Sequence, residues 1–196
     1  MRKLDYDDIF FEQGLMYVAG TDECGRGCLA GPVTAAAVIL PRGCVIEGLN
    51  DSKKLSSLKR DKLFSQILEK ALAVRISMVD ADLIDYINIL QASLKAMGDS
   101  VLDLPISPDI TLIDGRFLPD IHIKMAAVVG GDGKSMSIAA ASVIAKVTRD
   151  RLMVEYAETY PQYGFDRHKG YPTAAHYAAL REFGPCPIHR RSFRLF

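Results

Sequence analysis

The sequence lacks any apolar run near the roughly 18 residues that a membrane-spanning helix needs. It also lacks a secretory leader, since Met1-Arg2-Lys3 is followed by acids rather than by an apolar core. Cysteine is sparse: Cys24, Cys28, Cys44 and Cys186. No close cysteine pair is answered by a second pair or by spaced histidines, which excludes the usual zinc patterns. These absences predict a cytoplasmic protein with reduced thiols and no membrane partner. Net charge is missing too. Lys and Arg number 24 against 24 acids, so the chain does not coat nucleic acid by bulk charge. There is no internal repeat and no low-complexity linker. What remains is a chain of 196 residues, 49% apolar, long enough to bury the core of one globular domain.

The charge is unevenly placed. Residues 80–120 hold eight acids against Lys95 and Arg116, whereas residues 167–196 hold six Lys or Arg against Glu182 alone. Such asymmetry suits an acidic metal pocket beside a basic docking surface.

Periodicity predicts strands alternating with helices. Tyr17–Asp22, Val33–Leu40, Leu72–Val79, Asp109–Ile113 and Ile121–Val129 read as strands. Ser56 or Ser57 can cap a helix to Lys70 with Leu58, Leu63, Ile67 and Leu68 inward. Asp80–Met97 reads as one helix. Ser135 or Ser137 can cap a long helix to Tyr160, and Thr173 a last one to Phe183. Five strands with interleaved helices describe an α/β sheet domain.

Within this pattern acids recur where strands end. An apolar run, Met16 to Ala19, leads into Asp22-Glu23, then the turn Gly25-Arg26-Gly27 and the segment Leu29-Ala30-Gly31-Pro32. Adjacent acids on a strand point to opposite faces, so the backbone must turn if both are to meet one ion. Asp114 closes the strand before Gly115, and Asp132 follows Gly130-Gly131 just ahead of the long helix. Carboxylates sharing one cleft repel unless cations lie between them. Mg²⁺ and Mn²⁺ take such oxygen ligands, and a pair of them suits in-line phosphoryl displacement. A rival motif, Gly133-Lys134-Ser135, sits where a nucleotide-binding P-loop would place it. That loop needs a further glycine where Val128 stands, and Asp132 would oppose the phosphates.

Taken together, the segments resemble one family, the type 2 ribonucleases H and among them bacterial ribonuclease HII. The resemblance is carried by Asp22-Glu23-Cys24-Gly25-Arg26-Gly27, Asn50-Asp51-Ser52-Lys53-Lys54-Leu55 and Asp114-Gly115. It continues through Gly131-Asp132, the run from Ser137 to Asp150, His168-Lys169-Gly170-Tyr171-Pro172-Thr173 and Ile188-His189-Arg190-Arg191-Ser192-Phe193. These run in the family's order over nearly the whole chain.

The resemblance implies an RNase H-like fold, a five-stranded mixed sheet flanked by helices, in a single domain over 1–196. Residues from about 161 would form a small C-terminal helical part that docks substrate. It implies a monomeric two-metal endonuclease using Mn²⁺ or Mg²⁺ on RNA–DNA hybrids and on duplex DNA with embedded ribonucleotides. The cut falls 5′ of the ribonucleotide and leaves 3′-hydroxyl and 5′-phosphate ends, for ribonucleotide removal and primer clearance. On the family's pattern Asp22, Glu23, Asp114 and Asp132 hold metal. Gly25, Arg26 and Gly27 recognise the ribose 2′-hydroxyl, which distinguishes RNA from DNA, and Tyr171 stacks on the following deoxyribose. Lys53, Lys54, Lys146 and Arg149 are implied phosphate contacts.

Cys24 and Cys28 depart from the commonest pattern and read as packing residues. Gly130 replaces the Lys often found before the Gly-Asp pair, so the resemblance does not carry over the phosphate contact at that position. The short segment before the first strand argues against the sister ribonuclease HIII, which carries an extra N-terminal domain. The rival functions are a resolvase-like DNA nuclease and a catalytically silent hybrid-binding module. His122 reads as a core or edge strand residue, and His168 and His189 as facing phosphate or solvent.

Overall fold

The computed structural model describes residues 4–50, 52 and 55–196. Its centre is a five-stranded sheet of β1 (Val18–Cys24), β2 (Val33–Ile39), β3 (Ala73–Val79), β4 (Ile110–Asp114) and β5 (Met125–Val128), ordered β3-β2-β1-β4-β5. β1, β2 and β3 form an antiparallel meander, and β4 and β5 add in parallel beyond β1. This is the mixed sheet that the resemblance implied.

Every residue of β2 is buried, because helices cover both faces. Alternation along the strand sorts its side chains. Ala36 and Val38 meet α5 (Met136–Thr159) and α2 (Ser57–Lys70), whereas Val33 and Ala35 meet α4 (Ile89–Leu102). The small residues at Ala139–Ala141 let α5 lie close on the sheet. Contact is tightest at Gly20 of β1, where a side chain would collide with the backbone of Ser137 and Ile138. That contact fixes the start of α5 against the strand that carries Asp22.

Capping followed the sequence. Ser56 accepts from Lys59 N–H, Ser135 from Ile138 N–H and Thr173 from His176 N–H, each satisfying an orphan donor of a first turn. Thr173 opens α7 (Ala174–Phe183).

Four expectations need correction. The helix expected over Asp80–Met97 is two helices, α3 (Ala81–Ile87) and α4, divided at Asn88 with φ 69°. The Asn88 side chain accepts from Leu90 and Gln91 N–H, restarting the helix in a new direction. In α2, Leu63 and Ile67 are buried but Leu58 is 85% exposed and Leu68 is also exposed. Residues five apart on a helix lie about 140° apart, so Leu58 and Leu63 cannot share a face. β1 continues to Cys24, so Asp22 and Glu23 lie within the strand rather than at its end. β5 begins only at Met125, which leaves His122 exposed ahead of it.

Beyond α5 come a 3₁₀ turn (Pro161–Tyr163), α6 (Phe165–His168) and α7. They pack Tyr163, Phe165 and Leu180 against Leu29, Ala30 and Met153. Burying each such large side chain contributes about 1.5–3 kcal/mol, which joins the C-terminal part to the loop after β1. No helix among the described residues is long and apolar enough to cross a membrane.

Candidate active site

The parallel register pairs Thr21 with Ile113, so Asp22 and Asp114 lie one step further on, side by side on neighbouring strands. Asp22 is only 5% exposed. Burial, and then the charges of Glu23 and Asp114, push its carboxyl well above the ordinary range. The Ser142 hydroxyl and the Glu23 N–H, which donates to Asp22 Oδ1 at 2.7 Å, oppose that rise. Ser142 Oγ lies 2.8 Å from Ser52 Oγ, so Ser52 reaches Asp22 through two hydroxyls. Glu23 is also raised by burial, against the Arg26 guanidinium 3.1 Å away.

Asp114 Oδ1 accepts from Gly131 N–H at 2.7 Å. Gly130 stands at φ 65° and the backbone then winds into a 3₁₀ turn, Gly131–Gly133, that carries Asp132. The structure thus brings Asp22, Glu23 and Asp114 into electrostatic contact and places Asp132 on the turn hydrogen-bonded to Asp114. Among the described residues the acids do not close into a preformed cage of three or more metal ligands. An open, oxygen-only donor set fits hard divalent ions such as Mg²⁺ and Mn²⁺, which retain several waters. The mutual repulsion of these neighbouring carboxylates is what a cation would relieve.

The P-loop reading fails on geometry. Lys134 Nζ donates to Val129 O at 2.6 Å, and Ser135 is fully buried as the cap of α5.

The loop Gly25–Pro32 is held from below by two buried arginines. Arg149 is 0% exposed, and its guanidinium donates to the carbonyls of Pro32, Ala30 and Lys169, each at 2.9 Å. Arg149 is therefore a strut and not a phosphate contact. Gly25, at φ 96°, leaves the space that the Arg149 side chain fills. Arg190 donates twice to Gly31 O and once to Arg26 O, and burial beside Arg149 pushes its pKa down to about 10.

Arg26 itself points outward, half exposed. Tyr171 is 38% exposed, with Lys146 Nζ 5.4 Å from its ring centroid. Lys146 also pairs with Asp150 at 2.7 Å. Lys53 and Lys54 lie outside the described residues. Cys28 is fully buried, Cys24 largely so, and burial pushes both thiols up, Cys24 to about 11. These are packing residues, inert as nucleophiles.

A family model described as Ribonuclease HII matches residues 19–196. The chain belongs to the ribonuclease HII family. It is 53% identical to ribonuclease HII of Ruminiclostridium cellulolyticum over 98% of this chain and 75% of that one. It is 55% identical to ribonuclease HII of Idiomarina loihiensis over 90% and 94%. Among solved structures, ribonuclease H2 from Pyrococcus horikoshii superposes with a TM-score of 0.76 at 27% identity, covering 92% of this chain and 95% of that chain. RNase HII from Archaeoglobus fulgidus, solved in complex with PCNA, gives 0.75 at 25% identity, covering 91% and 96%. The chain is a ribonuclease H, an endonuclease and hydrolase with the RNase H-like fold.

Several residues that organise this ribonuclease HII site escaped sequence reasoning. Arg190 stood out in the sequence only as part of the basic excess over residues 167–196 and of the segment 188–193, with no role of its own. His189 faces neither phosphate nor solvent but is buried against His176 and Cys186, whereas His168 stays partly exposed, bonded between Tyr163 O and Gly170 N. The contact between His176 of α7 and His189 of the loop beyond it carries no short-range signal, since it joins residues 13 apart across the helix end.

Proposed function

We propose that this ribonuclease HII hydrolyses the phosphodiester 5′ of a ribonucleotide, in RNA–DNA hybrids and in duplex DNA with embedded ribonucleotides. The products are a 3′-hydroxyl and a 5′-phosphate, and the role is ribonucleotide removal and primer clearance. The observation that carries this reading is the Asp22–Glu23–Asp114 group, three acids drawn together against their own repulsion beside the turn bearing Asp132. These four residues hold divalent metal, Mn²⁺ or Mg²⁺. When bound, such ions activate water and stabilise the attacking and leaving oxygens of an in-line displacement.

The remaining residues bind and orient. Gly25, Arg26 and Gly27 form the surface of a loop that Arg149 and Arg190 hold rigid from beneath. Rigid backbone groups suit a contact to a ribose 2′-hydroxyl, the group that separates RNA from DNA. Arg26, paired with Glu23, ties this loop to the acids. Tyr171, half open and flanked by Lys146, offers an apolar ring for the next deoxyribose beside a cation for its phosphate. Lys53 and Lys54 supply further phosphate contacts. The whole chain acts as one domain, a monomer in the cytoplasm, whose part beyond residue 161 docks the duplex.

The test is strand-specific cleavage of duplex DNA containing one ribonucleotide, with Mn²⁺ or Mg²⁺ and with chelator. A single nick 5′ of the ribonucleotide, abolished by chelator, is expected. A cut on the 3′ side, equal cutting of all-DNA duplex, or full activity in chelator would each reject the reading.

A further inference from the structure

The turn that carries Asp132 is anchored at both ends, and one anchor comes from the start of the chain. On one side Gly131 N–H is bound by Asp114. On the other side residues 5–7 run antiparallel to the residues just after the turn. Asp5 bridges to Ser135, and Tyr6 N–H donates to Lys134 O at 3.1 Å. Asp7 Oδ2 then accepts from Ser137 N–H at 2.9 Å and from Ser137 Oγ–H at 2.6 Å. Ser135 caps the third N–H of α5, and Asp7 supplies the cap for the second from 130 residues away. Both the hydrogen bonds and the negative charge suit a helix N-terminus.

Apolar contacts seat the segment. Phe11 of α1 (Asp8–Glu12) packs in one cluster with Val128 and Ile138, the residues that flank the turn on either side. The family model begins only at residue 19, after both Asp7 and Phe11.

We infer that Asp7 is a positioning residue for the metal site: by clamping the start of α5 it fixes the turn that presents Asp132. The inference rests on the proposed role of Asp132 as a metal ligand. Asp7 touches neither metal nor substrate, so its effect should be on metal affinity.

The experiment measures Mn²⁺ dissociation constants by titration calorimetry on the full chain, together with metal-free melting temperatures. The variants are Asp7→Ala, Asp7→Asn, Ser137→Ala and Asp132→Asn. Groups bonded directly to a metal ligand typically alter affinity about ten- to hundredfold. Asp7→Ala acts one step further away and should weaken Mn²⁺ binding about three- to tenfold. Asp7→Asn keeps an acceptor for both Ser137 donors and should recover most of that loss. Ser137→Ala, which removes one bond and no buried charge, keeps the test alive should Asp7→Ala not fold; it should weaken binding about twofold. A purely structural role would lower melting temperature and leave the dissociation constant alone. Wild-type affinity in Asp7→Ala, or in Ser137→Ala if the former does not fold, with loss in Asp132→Asn, overturns the positioning role only. Wild-type affinity in Asp132→Asn overturns the metal-site reading and the positioning role with it.

Discussion

His176 Nε2 and His189 Nε2 lie 3.0 Å apart in the packed interior of the C-terminal part. Their neighbours assign the protons. His176 Nδ1 faces Tyr171 O at 3.0 Å, and a carbonyl can only accept, so Nδ1 carries the proton and Nε2 is bare. His189 Nε2–H therefore donates to His176, which leaves His189 Nδ1 to accept from Cys186 N–H at 3.0 Å. The Cys186 Sγ lies 3.1 Å from the same nitrogen. Both imidazoles must be neutral for this chain to exist.

Acid should break it. Burial comes first, and the neighbouring histidines add to it, in pushing both pKa values down to about 4. A histidine depressed in the folded state is protonated more readily when unfolded, so stability is full above about pH 6.5 and falls toward pH 4. The loss should reach the order of a few kcal/mol. Melting temperature measured from pH 7.5 to 4 should drop more steeply in the wild type than in a His176→Asn/His189→Gln variant. Parallel curves would show that the pair does not govern acid sensitivity.

A second prediction concerns the acids themselves. Asp22 is raised by burial and by two neighbouring carboxylates, so its charge destabilises the metal-free fold at neutral pH. Asp22→Asn should melt at the same temperature as the wild type or higher without metal. A ligand at one hundred times its dissociation constant adds about 2.7 kcal/mol, and that gain should largely vanish in Asp22→Asn while cleavage falls by orders of magnitude. Scanning calorimetry with and without Mn²⁺ reads both effects. An undiminished metal shift would place the ion elsewhere.

What the sequence made legible was what local chemistry decides. Ser56, Ser135 and Thr173 cap their helices because a cap needs only four consecutive residues. The break at Asn88 was hidden, since the apolar period runs on across it while one residue adopts positive φ. The acids could be picked out singly beside the apolar runs, but the register that sets Asp22 beside Asp114 is a tertiary fact, supplied in advance only by resemblance. Arg149 was expected at phosphate only because the resemblance implied it, and nothing in its local sequence marks it as buried. Its burial depends on the carbonyls of Ala30 and Pro32, more than one hundred residues away.

That correction is itself testable. Replacing Arg149 by Met leaves three carbonyls without their donor, a loss of roughly 3 kcal/mol or more, since each unsatisfied buried group costs about 1–3 kcal/mol. Lys146 is partly exposed and keeps its proposed phosphate contact. Hybrid binding by Lys146→Ala should show a salt slope shallower by about 0.7–0.9. Arg149→Met, at a temperature where it remains folded, should keep the wild-type slope. A shallower slope in Arg149→Met would return that residue to the phosphate-binding set.

Tyr171 distinguishes junction recognition from general hybrid cleavage. Its ring is held on one side by Lys146, and its carbonyl is held by His176, so the backbone beneath the ring is fixed. Burial pushes its phenol up, so the hydroxyl stays protonated and contributes no charge. Stacking on such a ring is worth about 1–3 kcal/mol, and each 1.36 kcal/mol is about tenfold in rate. Tyr171→Phe keeps the ring and should be mild. Tyr171→Ala should cost about ten- to hundredfold on duplex DNA with a single ribonucleotide. Uniform RNA–DNA hybrid lacks a deoxyribose after most ribonucleotides and should lose less. Cleavage efficiencies of both variants on both substrates, at one salt concentration, decide the point. Equal losses would make Tyr171 a packing residue and leave junction specificity to the Gly25-Arg26-Gly27 loop, held in shape by Arg149 and Arg190.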